Sequence, residues 1–221
     1  MVNPALIRSE PWDINKRLME LGLKRENLER AAERGLAGFL SCTANHPCAV
    51  PGIWAWAETI CALGEQHIPL GWRRLDESNW PLIVNKAGSV AVSVASGNED
   101  TGRDGDRDPL TTSAKGPRTI SAIATNRRQL NLFGEVLPSA ESLTTPGRQT
   151  WLLLVHRDIG SREMRCELSR PVSIDPRGRI NLWAERIILK PRSFDGIGAA
   201  ILDGENGPQS PEIKVEIKRR G

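Results

Sequence analysis

A chain of 221 residues has room for one large domain or two small ones. Its 39% hydrophobic content is enough for a core, and no run approaches the roughly 18 apolar residues of a membrane helix, so no spanning segment is expected. The net charge of +3 is too weak to mark a nucleic-acid binder by itself, because such proteins cluster their basic residues. In chain order, Met1-Val2-Asn3-Pro4 lacks the basic-then-apolar pattern of a secretion signal, which predicts residence in the cytoplasm. Ser9-Glu10-Pro11-Trp12 reads as a helix start, with Ser9 as N-cap and Pro11 in the first turn. Ile14, Leu18 and Leu21 share a face of that helix. A second helix is predicted over Arg25–Arg34, ending at Gly35, and Leu36–Cys42 reads as a short apolar piece. A third helix over Ile53–Gln66 places Ile53, Trp56, Ala57, Ile60 and Leu63 at the spacing of a buried face.

Leu82–Asn85 and Ser89–Ala95, joined through Lys86-Ala87-Gly88, predict a β-hairpin. Val90, Val92 and Val94 alternate with smaller residues, the period of a strand with one buried face. Gly97–Arg118 is rich in Gly, Asp, Arg, Thr and Pro and reads as a solvated, flexible loop. Its acidic residues are not in the order of an EF-hand, and Lys115-Gly116 lacks the spacing of a phosphate loop. Ile120, Ile123, Leu130 and Phe133 recur at helical spacing, with Gly134 as a C-terminal cap, and Gly134–Thr150 reads as a linker. Beyond it come strands at Trp151–Asp158, Glu163–Ser169, Arg179–Leu189 and Ile213–Ile217. Turns at Ile159-Gly160-Ser161 and Asp175-Pro176-Arg177-Gly178 make this part an antiparallel meander. On Glu163–Ser169, Met164, Cys166 and Leu168 take one face, Arg165 and Glu167 the other.

These elements predict an α+β fold in which N-terminal helices pack on antiparallel sheet. The organisation expected is a helical region with a hairpin over 1–96, a flexible loop over 97–118, a helix or peptide segment with linker over 119–150, and the meander over 151–221, together one composite domain.

No catalytic set is evident, and no cofactor or metal site is expected. The G-x-S-x-G elbow, H-E-x-x-H and the dinucleotide glycine fingerprint are all missing. His156 and Asp158 share a strand face, the arrangement of a proton-transfer pair, but a satisfied surface histidine has the same appearance. Cys42, His46 and Cys48 are close together without a finger's spacing; like Cys61 and Cys166, these cysteines are expected as thiols. Glu163 and Glu167 on one strand suggest a metal-dependent nuclease as an alternative, although no lysine completes a Glu-x-Lys pattern.

The most specific feature is Gln129-Leu130-Asn131-Leu132-Phe133. It is similar to the Q-L-x-L-F peptide by which bacterial replication and repair proteins dock on the DNA polymerase sliding clamp, and most of all to that of Y-family translesion polymerases. The resemblance implies a clamp-binding site formed by Gln129, Leu130, Leu132 and Phe133, with the clamp as partner and DNA reached indirectly through it. An amide at a pocket rim and apolar anchors in a cleft suit that role. The opposing reading buries residues 129–133 in the core of a protein-binding or inhibitory module. A second resemblance rests on Ala44-Asn45-His46-Pro47, Trp56-Ala57-Glu58-Thr59, Gly71-Trp72 and Lys115-Gly116-Pro117. These look like an uncharacterised group of bacterial proteins of plasmids and integrative elements; that implies a mobile-element origin and carries over no catalytic residue.

Overall fold

The computed structural model describes residues 5–76, 78–105, 107–134 and 147–195, with backbone alone for 131–134. The valine alternation at 90–94 becomes the strand it predicts, and the whole sheet grows around it. In order, the elements are β1 (Leu6–Arg8), α1 (Pro11–Glu20), α2 (Arg25–Leu40), α3 (Val50–His67), a 3-10 turn (Ile68–Leu70), β2 (Arg73–Asp76), β3 (Pro81–Val84), β4 (Val90–Ser96), α4 (Pro117–Gly134), β5 (Gln149–Asp158), β6 (Glu163–Ile174), β7 (Ile180–Ile188) and β8 (Arg192–Ser193). The strands form one sheet in the order β1-β7-β6-β5-β4-β3-β2, with β8 on β6. The fold is α+β, as the sequence predicts, and hairpin and meander are antiparallel. The sheet is mixed, however: β4 runs parallel to β5 and β1 parallel to β7. The predicted strand at 213–217 and the basic residues 218–220 lie outside the described residues.

One face of the sheet carries the main core. Val90, Val92, Val94, Trp151, Leu153, Val155, Met164, Cys166 and Leu168 pack with residues of α1, α2 and α3. Three helix expectations need correction. Ser9 does not cap α1; Glu10 occupies that position, and the Ser9 hydroxyl donates to Asp104 at 2.9 Å. α2 runs past Gly35 and takes in most of the predicted apolar piece. Gly35 is a packing position, not a stop: a Cβ there would meet Thr59 Oγ1 at 1.9 Å and the Ala55 carbonyl oxygen at 2.7 Å, so α2 and α3 approach closely only because it is glycine. Of the predicted face of α3, Ile60 and Leu63 are buried, but Ala55, Thr59 and Ala62 join them while Ile53 is left exposed.

The opposite face explains a fourth correction. The described residues of 97–112 are not a freely solvated loop: Gly97, Asp100, Thr101, Gly102, Pro109 and Thr111 are buried. They lie over the polar side of β6 and β7 and are tied down there. Glu167 and Arg186, both fully buried, form a bidentate pair at 3.0 and 2.8 Å. Glu167 also accepts from the Gly102 N–H at 2.8 Å and the Ser169 hydroxyl at 2.6 Å, and Arg186 donates to the Arg103 carbonyl at 3.0 Å. Arg165 donates to the carbonyls of Thr101 and Glu99, and the Trp183 indole to that of Pro109. The charged face of β6, with Arg165 and Glu167, is therefore the anchor of this segment. Gly102 sits at φ +70°, where a Cβ would be 2.8 Å from that of Arg165. Glu185 works similarly at the sheet edge, holding Arg8 of β1 at 2.5 Å and Arg17 of α1 at 2.8 Å.

Removing one partner of a buried pair leaves an uncompensated charge. Glu167→Ala is expected to lower unfolding free energy by about 3–5 kcal/mol in urea titration. A second stability effect comes from His67, buried at the end of α3. Its Nδ1 lies 2.8 Å from the Leu63 carbonyl and so carries the proton, while Nε2 has no hydrogen-bond partner. Burial holds the imidazole below its ordinary value. The unfolded chain takes up a proton as pH falls through about 6.5, where the folded chain resists it. Stability from this residue is therefore whole above that pH and lost as pH falls below it. The urea midpoint should drop between pH 7.5 and pH 5, and drop less in His67→Gln.

Candidate functional site

α4 carries the clamp-like residues, and its docking decides what they can do. Of the predicted apolar stripe, Ile123 is buried, but Ile120 is 47% and Leu130 37% exposed. The buried positions are Thr119, Ile123 and Asn126, spaced at about one helical turn but largely polar. Asn126 supplies the specificity. Its Nδ2 donates to the Thr150 carbonyl at 2.8 Å and the Pro171 carbonyl at 3.0 Å, while its Oδ1 accepts from the Thr150 N–H at 3.0 Å. One side-chain amide thus satisfies both backbone groups of Thr150, as a neighbouring strand would.

One turn on, Gln129 repeats the tactic. Its Oε1 accepts from Arg170 Nη2 at 2.8 Å, and its Nε2 donates to the Gly147 carbonyl. Gln129 is half-buried against the sheet, and Leu130 turns outward beside it. Leu132 and Phe133 follow in the last turn with helical backbone; their side chains lie outside the described residues.

A groove opens at the other end of α4. β3 meets β4 at Ile83–Val92 and Val84–Ala91, whereas β4 runs on to Ser96 against β5. The far end of β4 is consequently flanked by a turn and not by β3. Ser78 and Asn79 take left-handed φ values of 54° and 63° there. Trp56, Trp80, Lys115 and Arg118 line a space of about 360 Å³, which adjoins one of about 220 Å³ sharing Trp80 and Arg118 and adding Arg148. No carboxylate is among the described residues lining either space. Burial pushes the Lys115 ammonium below its ordinary value, and the side chain has no hydrogen bond or ion pair among the described residues. Among the described residues, Arg118 makes one long contact, Nε to Ser78 Oγ at 3.4 Å. Sequence reasoning missed this groove; its only trace was the Lys115-Gly116-Pro117-Arg118 run at the start of the helix.

The other candidates do not converge. Glu163 pairs with Arg165 at 3.3 Å, and the Glu167 carboxylate is enclosed by Arg186, Ser169 and Gly102. His156 Nδ1 faces the Gly97 carbonyl, while Asp158 accepts from the Ser161 N–H. His46 closes its own turn onto Thr43, and Cys42 faces the Gly38 carbonyl. Among the described residues, no group of three His, Cys, Asp or Glu side chains is placed to hold a metal ion, and no helix is long and apolar enough to cross a membrane. In comparison with known proteins, no family model, curated protein or solved structure matches the chain.

If Asn126 positions α4, its loss should be felt both globally and locally. Asn126→Leu keeps the branched shape but orphans the Thr150 groups, at about 1–3 kcal/mol for each. Hydrogen exchange in the variant should show α4 amides losing protection before those of β5.

Proposed function

We propose that this chain is a non-catalytic bacterial accessory protein, of mobile-element origin, that docks on the DNA polymerase sliding clamp through Gln129, Leu130, Leu132 and Phe133. The observation that carries the reading is the complete Q-L-x-L-F match on the last turns of α4, with Leu130 exposed. Gln129 sets the polar register, and Leu132 and Phe133 are the anchors. Docking exchanges the Arg170 and Gly147 partners of Gln129 for groups of the clamp. The bond to Gly147 is worth about 0.5–1.5 kcal/mol net and the one to the buried Arg170 guanidinium about 1.5–3, so the fold's hold on Gln129 lowers the affinity of docking by that amount. Through the clamp such a protein reaches replicating DNA without reading its sequence.

A second reading is favoured by one observation: the bridge from Gln129 to Arg170 and Gly147 makes that glutamine part of the fold. In that reading the chain is a protein-binding or inhibitory module, and residues 129–133 serve its core.

Binding of purified bacterial clamp to the wild-type chain and to a Leu132→Ala/Phe133→Ala variant separates the two. The clamp reading expects micromolar or tighter binding, lost in a variant whose circular dichroism is unchanged; truncating a hot-spot anchor costs about 2 kcal/mol or more. A wild type that does not bind, or a variant that unfolds, leaves the second reading.

A further inference from the structure

We infer that the groove at the start of α4 is a binding site for a nucleotide, taken either as a free mononucleotide or as a unit of a single strand. The inference is independent of clamp docking, which concerns the other end of the helix.

The chemistry of the lining points to an anion. Lys115 and Arg118 face the groove without a carboxylate among its described lining residues, and Lys115 is a half-buried cation with no counter-ion among them. A cation removed from water without a partner is costly, and a bound phosphate would offset that cost. α4 begins at Pro117 beside these two side chains, so the positive end of an 18-residue helix adds to their field. A Cβ placed on Gly116 would meet nothing within 4 Å, which leaves the approach to the backbone open.

The rest of the lining points to a flat, aromatic partner. Trp56 and Trp80 are both half-buried and line the space from the two sides of β4, Trp56 packing with the Val94 cluster and Trp80 with that of Ala95 and Leu152. Indole faces stack on any base, and sequence-tolerant recognition by stacking plus backbone charge is the usual mode for single-stranded nucleic acid. A volume of about 360 Å³ is in the range of small-ligand sites, roughly 300–1,000 Å³.

The test uses the full chain and its own tryptophan fluorescence. Titration with ATP and with an oligo-dT strand, each at low and high salt, is expected to quench the emission, with weaker binding at high salt. Lys115→Gln and Arg118→Gln, each folded by circular dichroism, are expected to weaken binding at least tenfold and to flatten the salt dependence. Trp80→Leu should remove much of the quench. Comparable affinity for ATP and the strand assigns the site to a free nucleotide; binding of the strand alone assigns it to single-stranded nucleic acid. Absence of a saturable change with both ligands overturns the inference. So does unchanged affinity in both cation variants, or equal affinity for inorganic phosphate, since the indoles would then take no part.

Discussion

The parallel register of β4 and β5 is the constraint from which the second face of this molecule follows. Strands that lie parallel and adjacent cannot be joined by a tight turn; the chain must leave the end of one and return to the start of the other. Here the return passes through residues 97–148, and two devices appear within it, the pinned segment 97–112 and the helix α4. The first half is fixed by the Glu167–Arg186 pair, whose two residues come from neighbouring antiparallel strands and which also bond Gly102 and Arg103 of the crossover. The pair joins sheet to crossover by charge, on the side of the sheet away from the three N-terminal helices.

The second half of the crossover is fixed by amides. Asn126 and Gln129 project from α4 onto the start of β5 and onto Arg170 of β6, substituting directional bonds for the apolar stripe usual in a packed helix. Directional docking places α4 closely while burying little apolar surface; Ile123 is the one large apolar side chain of its described residues that is fully buried. A helix held this way exchanges its bond to Gly147 at modest net cost, but its bond to the buried Arg170 guanidinium at a larger one. The glutamine of the clamp-like peptide is one of those holding bonds, so anchorage of the helix and availability of the peptide are coupled through one side chain.

Electrostatics divide the two ends of the crossover. Around β6 and β7 each charge is matched by an opposite one or by backbone carbonyls, even where burial is complete. At the start of α4 no carboxylate meets Lys115 or Arg118 among the described residues; the two adjoin two indoles at a gap left because β3 is shorter than β4. The contrast within one crossover is why the gap reads as a surface for a ligand, and the pinned segment as structure.

The sequence by itself determined the local elements. Valine alternation, the face segregation of Met164, Cys166 and Leu168, and the turn at Asp175–Gly178 specify strands and hairpins because period-two patterning and turn chemistry act over a few residues. It also marked residues 129–133 as unusual. Tertiary structure alone decided how these pieces meet. Gly35 reads as a helix stop until α3 is seen against it, and the 97–112 segment reads as solvated until Glu167 and Arg186 are placed beneath it. The groove of Lys115, Arg118, Trp56 and Trp80 gathers residues from three separate stretches of chain. Burial of polar groups depends on partners distant in sequence, and strand order is fixed by which faces remain to be covered; neither leaves a periodic trace in the residues themselves.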